Sequence, residues 1–238
     1  MNKELFIENL RIAFGDAELP IVFWYSDEPA IPVEKTRGCF IGYLKTARSG
    51  GVISFNVDTI GCPGGKVYTG YCEAPPFIPG FVSEKEKYKK TPEMVTKFID
   101  DLNMPDAPAA YINFASIDKI SSLDDKEGII FFATPDILSG LVSWALFDID
   151  ESDAISVPFG SGCSLLVSQT YVENKRNGYR CFLGLFDPSV RPSVEQNILS
   201  FAIPMSRFKV MYHTIEESCL SGTHGWTKVK ERIEKGGE

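Results

Sequence analysis

Two Gly-Cys junctions hold the residues of this chain best suited to chemistry. The first reads Gly61-Cys62-Pro63-Gly64-Gly65 and follows the apolar run Val52-Ile53-Ser54-Phe55. The second reads Gly160-Ser161-Gly162-Cys163 and follows Ala154-Ile155-Ser156-Val157. Each is placed where a strand hands over to a helix. A thiol at a helix start feels the positive end of the helix dipole, which favours the thiolate and with it metal binding or nucleophilic attack. Cys39 opens a third predicted helix. Three thiolates at Cys39, Cys62 and Cys163, with one further ligand, would hold zinc or an iron–sulfur cluster. No C-x-x-C pair accompanies them, and the plain alternative is a small apolar plug where helix meets strand.

Other candidates are weaker. Backbone amides of Gly64, Gly65, Ser161 and Gly162, next to Gly61 and Gly160, suit a phosphate or carboxylate at a helix start. The loop matches neither a Walker motif nor a dinucleotide fingerprint, and a tight turn explains its glycines equally well. In Asp187-Pro188-Ser189-Val190-Arg191-Pro192, Arg191 would clamp an anion or pair with Asp187 to hold the turn. The two histidines, His213 and His224, lie far along the chain from both junctions. Tyr25, Tyr68, Tyr71 and Trp144 suit an apolar pocket or core, and Cys72, Cys181 and Cys219 read as core.

The elements that must position these residues follow from periodicity. Asn2 to Phe14 is a helix capped by Asn2 and ended by Gly15. Pro20 to Tyr25 is a buried strand, Cys39 to Ser49 a helix, and 52–57 a strand. Pro63 suits a first helical turn, with Cys62 as its cap. Glu73 to Ser83 is a proline-rich extended loop. Thr91 to Met104 is a capped helix with Met94, Phe98 and Leu102 along its inner side. Strands follow at 110–114 and 128–133, then a helix at 135–147, a strand at 154–159 and a helix from Cys163 to about Asn174. Strands at 180–186 and 198–203, and helices near 205–215 and 227–234, complete the chain.

This order repeats. Strand, helix, strand, Gly-Cys and helix occur in residues 20–105 and again in 108–225. The spacing repeats as well: 62 minus 39 is 23, and 163 minus 23 is Gly140, matching Gly38, while Gly61 matches Gly162. The expected fold is therefore α+β, with mixed sheet and helices. It forms one domain over 1–238, built from two similar β-α-β-α halves around a central pocket.

Bulk properties narrow the function. A net charge of −8 argues against a dedicated nucleic-acid binder, and the interleaved Lys85, Lys87, Lys89 and Lys90 read as solvated surface. The longest unbroken apolar runs, 21–25 and 129–133, fall far short of the ~20 residues that span a bilayer. With six cysteines and no apolar signal core, a cytoplasmic protein with reduced thiols is expected.

Taken together, these pieces resemble the family known as domain of unknown function 169. The match runs from about Ile21 to Trp226. It includes Gly38-Cys39 with 47–50, Gly61 to Gly65 with Tyr68 and 70–71, and Phe159 to Cys163. It continues through Gly184 to Ser189 with Arg191, and Leu199 to Pro204 with Arg207, Phe208 and Met211. The resemblance implies a bacterial or archaeal protein, often from anaerobes, of no established activity, with metal, iron–sulfur or small-ligand binding as its suggested role. Three functions are carried forward. One is binding of a small anionic ligand or cofactor between the junctions, another a metal or iron–sulfur protein using Cys39, Cys62 and Cys163, and the third an enzyme with Cys62 or Cys163 as nucleophile. The expected partner is a small molecule, not nucleic acid or membrane, with self-association left open.

Overall fold

A computed structural model describes residues 1–235 of the chain. The apolar runs form strands β1 (Ile21–Ser26), β2 (Val52–Phe55), β3 (Tyr111–Ser116), β4 (Gly128–Ala133), β5 (Ile155–Ser156), β6 (Cys181–Gly184) and β7 (Leu199–Pro204). They join in one mixed sheet of order β2-β3-β1-β4-β7-β6-β5, antiparallel throughout except for the β5–β6 pair. Successive side chains of a strand point to opposite faces. Ile129, Phe131 and Ala133 of β4 enter one core, and Ile130 and Phe132 enter the other. Burial on both faces is why β4 reads as an unbroken apolar run.

On the first face lie α1 (Lys3–Phe14), α7 (Pro135–Ala145), α9 (Met205–Met211) and α10 (His224–Glu234), packed around Phe6, Trp144, Phe208 and Trp226. The second face carries α2 (Phe40–Tyr43), α3 (Lys45–Arg48) and α4 (Pro63–Tyr68). It also carries a long helix that begins at Gly162, passes through a π-helical stretch Ser164–Gln169, and ends as α8 (Thr170–Lys175). That helix packs on β6, β7 and β4 and meets α4. Outside it, α5 (Ile78–Gly80), a second π-helical stretch Phe81–Lys85 and α6 (Pro92–Leu102) contact mainly one another. The ends of this excursion are pinned where the Ala107 N–H donates to the Gly70 carbonyl at 2.8 Å. Among the described residues no helix is long and apolar enough to cross a membrane.

Several elements differ from their sequence expectation. The helix over 39–49 is two short helices, because Gly42 in its middle weakens the first turn and Leu44 turns the chain tightly, its N–H bonding to the Ile41 carbonyl at 3.1 Å. The strand over 154–159 stops at Ser156, since Pro158 has no N–H to give a ladder. The loop over 73–83 is partly helical: Pro79 stands near the start of α5, where a missing N–H is not needed. On α6 it is Val95, not Met94, that turns inward, and Met94 is exposed.

The strands that open the two expected halves, β1 and β4, lie side by side. The strands leading to the junctions lie at opposite edges, with β2 antiparallel to β3 and β5 parallel to β6. The matched glycines do different work. Gly38 has a φ of +84° in open space, while Gly140 lies under the Trp226 ring, where a Cβ would come within 2.4 Å.

Candidate functional site

At the first junction Cys62 caps α4, its Sγ accepting the Gly65 N–H at 3.1 Å, and Pro63 takes the first helical position. The close approach of two loops fixes Gly61. Its N–H donates to Thr36 Oγ1 at 3.1 Å, and a Cβ there would lie 2.3 Å from the Thr36 carbonyl oxygen. Gly65 is buried against Ile60 and Phe40, which seats α4 directly on α2.

At the second junction the Ser161 carbonyl accepts the N–H groups of Ser164 and Leu165, starting the long helix. Cys163 is 5% exposed, with Ser161 Oγ 3.4 Å from its Sγ. Stretches of π-helix are rare and recur near functional sites. Here Ser164–Gln169 brings the Ser168 hydroxyl to the Tyr68 carbonyl at 2.8 Å, tying the long helix to the end of α4.

Between the junctions and the outer excursion lies a cavity of about 430 Å³. Cys39, Cys62, Tyr68, Ser161 and Cys163 form its inner wall. Phe77, Ile78, Phe81, Val82, Phe98 and Ile99 form the outer one. Phe159 and Val190 also border it, as do the acidic residues Glu86 and Asp187. Among the described residues no Lys, Arg or His lines the space. Asp187 Oδ1 accepts from the Ser189 hydroxyl and, at 3.2 Å, from the Val190 N–H, while Oδ2 is buried without a hydrogen-bond partner among the described residues.

Electrostatics overturn one expectation. Burial pushes the Cys163 thiol well up, against a smaller opposing effect from its hydrogen bond with Ser161, so it is a neutral thiol at pH 7 and not a thiolate. The same desolvation raises the Tyr68 phenol. The helix dipole acts locally, and here removal from water outweighs it.

Of the residues expected at the site, Cys39, Cys62, Gly64, Gly160, Ser161, Gly162 and Cys163 border the cavity. Gly61, Gly65 and Arg191 do not. The Gly65 amide is taken by Cys62 Sγ, so it is not free for an anion. Arg191 is neither an anion clamp nor the partner of Asp187. Its two terminal nitrogens donate to the carbonyls of Leu185, Ile198, Glu195 and Gln196. The expected metal trio does not form: among the described residues no three His, Cys, Asp or Glu side chains gather into a metal-binding group. His213 and His224 are exposed and do not border the cavity, so none of its three cysteines, Cys39, Cys62 and Cys163, shares the lining with a histidine. Trp144 belongs to the opposite core, donating to the Met211 carbonyl at 3.0 Å. Of the cysteines read as core, Cys181 is buried, Cys219 is half-buried and Cys72 is exposed.

Apart from Phe98 on the inner side of its helix, no residue of the outer wall is expected from the sequence to face a site. The signal for that wall was the spacing of Phe77, Ile78, Phe81 and Val82, which places four apolar side chains on one helical face. Sequence reasoning also gave Asp187 no role beyond its turn.

No curated protein and no solved structure matches the chain. A family profile does, over residues 18–214, and it covers both junctions, the outer wall of the cavity and all seven strands. On that match the chain belongs to the family DUF169, described as an uncharacterised ArCR family.

Proposed function

We propose that this protein binds a small, mainly apolar molecule in the cavity between its two Gly-Cys junctions. The observation that carries the reading is the cavity itself. A volume of about 430 Å³ falls in the range of small-ligand sites, and the wall combines aliphatic and aromatic side chains with a few convergent polar groups. Cys62 and Cys163 belong to that wall as small polarizable surface. An anionic ligand is disfavoured, because it would face Glu86 and Asp187 with no lining cation to offset them. A cysteine nucleophile at position 163 is disfavoured by its neutral, buried thiol.

The test fills the space without touching either junction. Ile99 stands on α6 in the outer wall, half-buried and bordering the cavity, so a larger ring there would take up part of the space. Titration of the wild type with phenylbutanol by calorimetry is expected to show saturable one-to-one binding. Ile99→Trp should weaken it by roughly tenfold or more while leaving the urea midpoint close to wild type. Equal affinity in the two proteins would remove the cavity from consideration as the binding site.

A further inference from the structure

We infer that the cavity selects molecules that carry a positively charged nitrogen on an apolar body, with Asp187 receiving the nitrogen. This rests on the binding reading above and names the class of ligand. Asp187 is 8% exposed, and its Oδ2 has no hydrogen-bond partner among the described residues. A buried carboxylate oxygen without a donor is strongly unfavourable, so the position calls for a group that supplies one.

The surrounding protein does not supply it. The Ser189 hydroxyl and the Val190 N–H both go to Oδ1. The Ser161 hydroxyl lies against Cys163 Sγ at 3.4 Å. Arg191, the nearest base along the chain, holds four backbone carbonyls. A second carboxylate, Glu86, stands in the same lining.

The aromatic part of the wall points the same way. Phe77, Phe81, Phe98 and Phe159 border the space, and the face of an aromatic ring attracts a cation. Phe159 already receives one, with the Lys89 ammonium 4.3 Å from its ring centre. An anion in this cavity would meet two carboxylates, and a neutral hydrocarbon would leave Oδ2 bare. An ammonium pairs the oxygen while its apolar body fills the rest.

Three probes of one shape separate these cases: phenylbutylamine, phenylbutanol and phenylbutanoate, titrated by calorimetry at neutral pH into the full chain and into Asp187→Asn. The amine is expected to bind tighter than the alcohol by roughly tenfold or more, the magnitude of one charge-assisted hydrogen bond, and the carboxylate weakest. The amide side chain of Asp187→Asn keeps an acceptor oxygen for the turn, so within that variant the amine should no longer bind tighter than the alcohol. An amine no tighter than the alcohol in wild type, as when a water already partners Oδ2, overturns the inference. So does an advantage that survives Asp187→Asn. Should that variant fail to fold, the wild-type ranking decides alone. Failure of the underlying binding reading looks different: none of the three probes binds, or Ile99→Trp weakens none of them.

Discussion

Raising the pH past about 9 is expected to destabilise this protein steeply, and the cause is its buried thiols and phenols. Cys181 is pushed from 9.0 up to about 12 by burial, with only partial relief from Arg207, and Cys163 is pushed up by burial as well. Tyr68, Tyr71 and Tyr25 are raised for the same reason. A thiol is neutral when protonated, so the folded chain holds these protons more tightly than the unfolded chain does. The associated stability is fully present below the unfolded value near 9 and is lost as the pH climbs from there toward the folded value. At pH 11, about two units into that window, Cys181 alone accounts for a loss of roughly 3 kcal/mol at 1.36 kcal/mol per unit. Cys163 adds a loss of the same sign, and the phenols join above their ordinary 10.0. Urea titrations under reducing conditions should show a midpoint that is level up to about pH 8 and falls sharply by about pH 11. The double variant Cys163→Ala/Cys181→Ala should show a shallower fall. A wild-type midpoint that stays level across the range would mean that both thiols already reach water.

Loss of Arg191 is expected to act on stability and not on ligand choice. Its guanidinium gathers the carbonyls of Leu185 and Ile198 at 3.3 and 2.6 Å and those of Glu195 and Gln196 at 3.0 and 2.6 Å. These tie the segment after β6 to the segment before β7. Leu185 also has a φ of +68°, a conformation that a non-glycine residue keeps only when its surroundings enforce it. Arg191→Met would keep the aliphatic stem and leave four carbonyls short of a donor, a cost of roughly 2–4 kcal/mol for a charged multidentate group. The drop should appear as a lower urea midpoint, with the affinity for phenylbutanol changed less than about threefold in the folded protein. A stable variant that instead alters binding of phenylbutanoate would restore Arg191 as an anion clamp.

Local signals in the sequence translate well into this fold, and long-range ones do not. Asn2, Cys62 and Thr91 were each expected to begin a helix, and each does so with its side chain accepting an N–H of the first turn. Runs such as 128–133 announce central strands because they are apolar on both faces. What failed depends on contacts between distant segments. The thiolate expected at Cys163 follows from its own helix start, whereas its actual state follows from packing that removes it from water. The Arg191 side chain sits four residues from Asp187, yet its partners are backbone carbonyls that no residue type advertises. The outer wall was hidden by its prolines, which look like loop but here admit short helices. The family resemblance, carried by the junction motifs, holds over most of the chain.

One measurement bears most directly on the account: carbon-13 NMR of cysteine Cβ atoms while the tightest-binding of the three phenylbutyl probes is titrated to saturation. Resonances of Cys62 and Cys163 should move together with the ligand, accompanied by Cys39, while those of Cys72, Cys181 and Cys219 stay in place. Saturation that leaves either Cys62 or Cys163 unmoved, or that shifts Cys181 and Cys219 instead, would place the ligand elsewhere and contradict a site shared by the two junctions.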